Sequence, residues 1–234
     1  MSTIKLMSAG AVQAVVTALA PEFERASGHK VDLNFGTAGS MRDRIKNGEQ
    51  ADLIILSEAG IAELDKLGHF APGSVTPLGR TVTGVIVRED AAVPDISTPA
   101  AFIAALRNAP SVAYTNPASG GSGGIMFAGL LQKLGLADEI NAKAVLGKGG
   151  HDVSVIVAEG RAVLGTTFIS EALPVKGVKV IGPLPGELHY VNTYTAALAA
   201  KSAVRAEAAA LLRALTDPAT CARWTAAGLE PAFP

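Results

Sequence analysis

Short apolar runs of strand length alternate with helix-patterned stretches along the whole chain, and that alternation restricts the fold more than any other feature. Strand, helix and strand in succession is the repeating unit of α/β proteins with mainly parallel sheets. The apolar runs predict strands at 4–8, 31–35, 52–56, 81–88, 111–115, 144–147, 162–167, 178–182 and 192–199. Between them lie helical patterns with explicit boundaries. The first covers Ala11 to Ala26, with Val12, Val15, Val16, Leu19 and Phe23 at helical spacing and Gly28 as its stop. Pro21 is expected to kink or split it. Others run from Gly39 to Gly48, from Ser57 to Gly68, from Thr98-Pro99 to Leu106, and from Gly124 to Leu134. Asp152 is the expected cap of a helix ending at Gly160, Ser202 that of one ending at Leu215, and Asp217-Pro218 opens the last.

The stretches 74–84, with Gly, Pro and Thr, and 182–192, with Gly and Pro, read as places where the chain changes lobe. They predict one lobe from 1–80 and 192–234 and a second from 81–191, with a ligand cleft between them. A single doubly wound sheet is the alternative.

Composition removes several function classes. The net charge of −1 gives no field to gather nucleic acid, and the basic residues are dispersed without an aromatic stacking surface. No apolar run is long enough to insert in a membrane. Cys221 is the only cysteine and histidines number 4, so a structural zinc site is not expected, and no cofactor or metal is predicted. Met1-Ser2-Thr3 leads straight into the first strand without an n-region, h-region or cleavage site. As written this predicts a cytoplasmic protein, or a periplasmic one if a signal peptide has been removed. A permease partner is expected only for an exported form.

In open α/β sheets ligands sit beyond the carboxyl ends of the strands. Those turns are unusual here: Ser8-Ala9-Gly10-Ala11, Gly36-Thr37-Ala38-Gly39-Ser40, Asn116 to Gly124 with Ser119 and Ser122, and Lys148-Gly149-Gly150-His151-Asp152. Each is built of small residues and leads into a helix. Small residues let a ligand approach the backbone, and the first amides of a helix are free donors favouring negative charge. No Gly-Lys-Ser/Thr or Gly-x-Gly-x-x-Gly accompanies them, so a nucleotide is not the expected ligand; a small anion is. Each turn taken alone is also an ordinary strand-to-helix connection.

The segments Ile4 to Gly28, Asn34-Phe-Gly-Thr-Ala-Gly-Ser-Met-Arg-Asp-Arg-Ile-Lys-Asn-Gly48, Ala51 to Ser57, Gly124-Ile125, Gly165 to Glu171 and Gly228 to Pro231 resemble the molybdate-binding proteins of ABC transporters, in order and along nearly the whole chain. The resemblance implies the α/β type II periplasmic-binding-protein fold, with two lobes and two hinge crossings. It extends to aconitate isomerase, a binding-protein-like enzyme that moves a double bond in a tricarboxylate. It sets the family's first oxyanion-binding serine at Ala11, the second near Ala38 or Gly39, and a ligand-binding tyrosine at Phe168. Those hydroxyls are missing, so selectivity is expected to depart from molybdate. Ser8, Ala9, Gly10, Thr37, Gly39, Ser40, Ser119, Ser122, Asp152 and Phe168 are the candidate ligand contacts. Arg80, beside the first crossing, is a candidate for bidentate carboxylate recognition; Arg42 is read as a solvated helix residue.

Two functions follow. The first is capture of a small oxyanion or carboxylate by a substrate-binding-like protein. The second is an isomerase acting on an unsaturated di- or tricarboxylate by proton transfer, with His151 as the candidate acid or base and Asp152 as either its orienting group or a helix cap. His189 is a weaker candidate of the same kind. The Gly-x-Ser-x-Gly string at Gly120–Gly124 is not read as a hydrolase elbow, because Ser122 lies several residues past its strand.

Overall fold

A computed structural model describes residues 1–233. The chain runs β1 (Thr3–Ala9), a 3₁₀ turn (Gly10–Val12), α1 (Gln13–Ser27), β2 (Lys30–Gly36), α2 (Ala38–Lys46), β3 (Leu53–Ser57), α3 (Glu58–Lys66) and β4 (Thr76–Arg88). It continues with α4 (Pro99–Asn108), β5 (Val112–Thr115), a 3₁₀ turn (Pro117–Ser119), α5 (Ser122–Lys133), α6 (Ala137–Asn141), β6 (Ala144–Gly147), α7 (Gly150–Ala158), β7 (Leu164–Phe168), α8 (Ile169–Ala172) and β8 (Val178–Pro183). It ends with β9 (Val191–Leu198), α9 (Arg205–Leu215), α10 (Cys221–Ala226) and the short β10 (Glu230–Pro231). Internal contacts divide the chain into two compact units, Met1–Arg80 with Asn192–Pro234, and Thr81–Val191.

In the first unit β1 lies between β2 and β3, both parallel to it, and β9 pairs with β3 antiparallel. Every residue of β3, Leu-Ile-Ile-Leu-Ser, is buried. A strand covered on both faces needs such an unbroken apolar run rather than an alternating one. Helix α1 puts Val15, Val16, Leu19, Ala20 and Phe23 inward and packs against α9. Pro21 does not split it. Pro21 and Thr17, whose carbonyl loses its helical donor, are both exposed, so water takes the place of the missing N–H. Gly28 ends the helix at φ 73°, its N–H donating to Glu24 O at 2.9 Å. Ser202 does not cap α9, which starts at Arg205; its hydroxyl instead donates to Asp52 at 2.6 Å.

In the second unit β5 lies between parallel neighbours β6 and β7, and β4 pairs antiparallel with β7 and with β8. Two cores form on opposite faces of this sheet. Val85, Val112, Tyr114 and Leu164 pack with Phe102, Leu106, Phe127, Leu131 and Ile140 from α4, α5 and α6. Ile86 and Ala113 pack with Val153, Ile156 and Val157 of α7 and Ala172 of α8. The alternation Val85/Ile86 and Val112/Ala113/Tyr114 is the two-residue period of a strand serving two cores. Tyr114 also donates from its buried end to Asn141 Oδ1 at 2.5 Å.

Helix α5 starts two residues earlier than its pattern suggests, at Ser122. It lies so close to β5 that a Cβ on Gly124 would collide with the Thr115 carbonyl oxygen. Backbone cannot swing aside as a side chain does. Gly124→Ala is therefore expected to lower stability by about 1–3 kcal/mol, read as a lower denaturant midpoint at unchanged slope.

Candidate functional site

In the first unit the turns after β1 and β2 lie side by side, because Ala9 and Gly36 are register partners. Ser8 is fully buried and its hydroxyl donates to Ala9 O at 3.0 Å. Thr37 caps α2, accepting from Ser40 N at 3.1 Å, and Ser40 Oγ donates back to Thr37 O at 3.1 Å. Gly39 is buried in the first turn of α2, and Ala11 is buried in the 3₁₀ turn that also contains Gly10. Each of these serines thus gives its one proton to a nearby backbone carbonyl. The donors this region offers an anion are backbone amides.

The cations are placed unequally. Arg42 is engaged by Asp43 at 2.9 Å and Glu63 at 3.2 Å, a solvated acidic setting. Arg44 and Lys5 both bind Glu49, whose carboxyl their hydrogen bonds pull down to about 2. Arg80 is half-exposed and has only a loose 3.9 Å approach to Glu230.

In the second unit the ends of β5, β6 and β7 are likewise adjacent: Thr115 pairs with Gly147, Tyr114 with Thr166, and Asn116 N donates to Gly147 O at 2.8 Å. Ser119 Oγ donates to Asn116 O at 2.7 Å. Ser122 is the first residue of α5. Phe168 is buried at the end of β7, and its ring would stand 3.1 Å from a Cβ on Gly123. On another side it stacks on Tyr190, ring centroids 6.4 Å apart. Burial raises the Tyr190 hydroxyl above its ordinary pKa, keeping it a neutral donor. The start of α5 therefore meets the Phe168 ring rather than the hydroxyl the resemblance implies at position 168.

The start of α7 holds what sequence reasoning missed. Its N-cap is Gly149, not Asp152; Asp152 sits in the first turn and reaches back to accept from Lys148 N at 2.8 Å. A carboxylate at that position can take an amide just before the helix, which explains why it resembles a cap in sequence. His151 is exposed, as is His189. The carboxyl nearest the α7 backbone is Glu171, from α8. A Cβ on Gly150 would collide with Glu171 Oε2 and with Thr167 Oγ1. Gly150 has no positive φ, so the need for glycine there is the close approach of these two groups and not backbone conformation. Glu171 as a residue keeps partial exposure, but its carboxyl is hemmed in by protein. That enclosure raises its pKa from 4.5 to about 7; the Gly150 amide and the Thr167 hydroxyl beside it pull the other way. Ser154 completes the cluster, its hydroxyl donating to Gly150 O at 3.1 Å.

Elsewhere in the same unit Thr83, Thr166 and Ser170, on β4, β7 and α8, carry buried hydroxyl oxygens with no hydrogen-bond partner. Such groups are costly unless satisfied by water or ligand. No local pattern marks these groups. Thr166-Thr167 lies at the end of a strand-length run, and Glu171 is 21 positions from its partner Gly150. No group of three or more metal-ligating side chains exists among the described residues.

Parallel strands ending in amide-rich helix starts, with a crossover strand antiparallel to each set, form the α/β arrangement of type II periplasmic binding proteins. The Azotobacter vinelandii periplasmic molybdate-binding protein shares it, with a TM-score of 0.76 at 23% identity over 97% of this chain and 98% of that one. The sequence profile of the bacterial extracellular solute-binding proteins matches residues 4–230, and the chain belongs to that family. It is 30% identical to aconitate isomerase from a Pseudomonas species, over 98% of this chain and 88% of that protein. It is 26% identical to the molybdate-binding protein ModA of Escherichia coli K12, over 83% of this chain and 76% of that one. No helix among the described residues is long and apolar enough to cross a membrane.

Proposed function

We propose that this solute-binding-family protein takes a small carboxylate anion, held mainly by backbone amides at the helix starts, in preference to a tetrahedral metal oxyanion. The observation that carries this is the state of the hydroxyls. Ala11, Ala38 or Gly39, and Phe168 stand where the molybdate-binder resemblance needs hydroxyls, and Ser8, Ser40 and Ser119 donate to backbone carbonyls. Arg80, loosely held, is the cation suited to a bidentate carboxylate contact. Gly10, Thr37, Gly39 and Ser122 are proposed to supply amides, and Phe168 an apolar wall. A thermal-shift panel of molybdate, tungstate, sulfate, phosphate and di- and tricarboxylates tests the reading. A ligand at about 100 times its dissociation constant stabilises by about 2.7 kcal/mol. The expected result is a shift with a carboxylate and none with molybdate. A shift with molybdate or tungstate alone would assign the protein to the oxyanion binders.

A second reading is supported by the 30% identity with aconitate isomerase along 98% of the chain: the bound acid is turned over by movement of its double bond. Binding for transport calls for a permease partner and an exported chain. Isomerisation calls for neither, and is compatible with the cytoplasm. Conversion of an unsaturated tricarboxylate, followed by NMR, separates the two.

A further inference from the structure

We propose that Glu171 is the proton-transferring group of this site, accepting a proton from the saturated carbon of an unsaturated tricarboxylate and returning it at the far end of the double bond. The assignment rests on the isomerase reading. Its carboxyl lies against the Gly150 amide at the start of α7, with the buried Thr167 hydroxyl beside it. A glycine is required at 150 for that approach. A group held this way is fixed in position, as proton transfer to a bound ligand requires.

The chemistry balances without a cofactor. The carboxylate takes the proton of the ligand's methylene group, and the C–H electron pair becomes part of an allylic anion delocalised into the neighbouring carboxylates. Amides at helix starts hold that charge. Glu171, now protonated, delivers the proton to the other end of the allylic system, and the double bond ends one position along. A base for this work needs a pKa near the working pH, and enclosure brings Glu171 to about 7. No charged neighbour sets that value. On α7, His151 is exposed, Asp152 is engaged by Lys148 N and Glu159 by Arg161; on β8, Lys179 reaches Ala91 O.

The test uses the full chain with cis-aconitate in deuterated water, read by NMR, beside Glu171→Gln and Thr167→Val. Wild type is expected to convert the acid and exchange its methylene protons. Glu171→Gln should bind with unchanged Kd while kcat falls by about 10²–10⁴-fold and exchange is lost. The wild-type kcat/KM should rise with pH through a limb near 7, and Thr167→Val should move that limb to higher pH, because the hydroxyl that lowers the Glu171 pKa is gone. If wild type converts cis-aconitate and Glu171→Gln stays within about threefold of it, or the limb does not move, the assignment is overturned and the isomerase reading stands. If wild type binds the acid but neither converts nor exchanges it, the isomerase reading fails and the assignment with it.

Discussion

Glu171→Gln is expected to stabilise the protein at pH 8 by about 3 kcal/mol while leaving it unchanged at pH 4. The carboxyl titrates near 4.5 in the unfolded chain and at about 7 in the folded one. Between those values the folded state binds more protons than the unfolded state, so stability falls as pH rises. The neutral form is favoured by folding, and its contribution is fully present below 4.5 and lost on passing through 7. A shift of this size corresponds to about 3 kcal/mol. Glutamine keeps an oxygen for the Gly150 amide without the charge. Denaturant melts of both proteins from pH 4 to 8 measure the difference. Curves that stay parallel across that window would show that the carboxyl is solvated and that enclosure has been misjudged. A buried charge retained at such a cost is characteristic of a group kept for function.

The second large effect is expected at Trp224. Its side chain is fully buried, its indole N–H donates to Leu215 O at 3.0 Å, and its ring lies 3.1 Å from where a Cβ on Gly79 would stand. Phe233 packs edge-on, at 5.8 Å between centroids. Trp224 therefore joins α10, the end of α9 and the first residues of β4 within the first unit. Trp224→Ala removes the largest side chain of that region and takes one donor from the Leu215 carbonyl, which the Thr220 hydroxyl also approaches at 3.1 Å. The expected cost is about 3–5 kcal/mol, which lowers Tm by roughly 10 °C or more in a chain of this size. Trp224→Phe should recover the packing but not the hydrogen bond and fall between. A Tm within about 3 °C of wild type for the alanine variant would mean that the C-terminal segment does not depend on this anchor.

Strands β3 and β5 were legible because buried strands with a parallel neighbour are continuous apolar runs, as Leu53–Leu56 and Val112–Tyr114 are. Helix ends were legible where the cap is local: Thr98 accepts from Ala101 N and Ser57 from Gly60 N, both three residues on. Caps failed where the side chain has a distant partner. Ser202 faces Asp52, 150 residues away in the chain. Pro21 misled because its effect depends on which side of the helix meets water, and α6, α8 and β10 are too short to impose a period. The small-residue turns were visible as candidates for backbone donors. Two features were not: that Ser8, Ser40 and Ser119 give their protons to carbonyls, and that a carboxyl from α8 lies on the start of α7. The first is a choice among local partners one to three residues away that residue type alone does not fix, and the second is a tertiary contact between residues 21 positions apart. The histidine favoured in sequence, His151, is exposed, whereas Glu171, enclosed against the neighbouring Gly150, carries no motif of its own.

The claim at the centre of this account is that the ligand is a carboxylate. Isothermal titration of the full chain with cis-aconitate, repeated in the presence of excess molybdate, tests it most directly. Saturable heat that molybdate does not suppress is the predicted result. Saturable heat from molybdate itself, with none from any tricarboxylate, would contradict it.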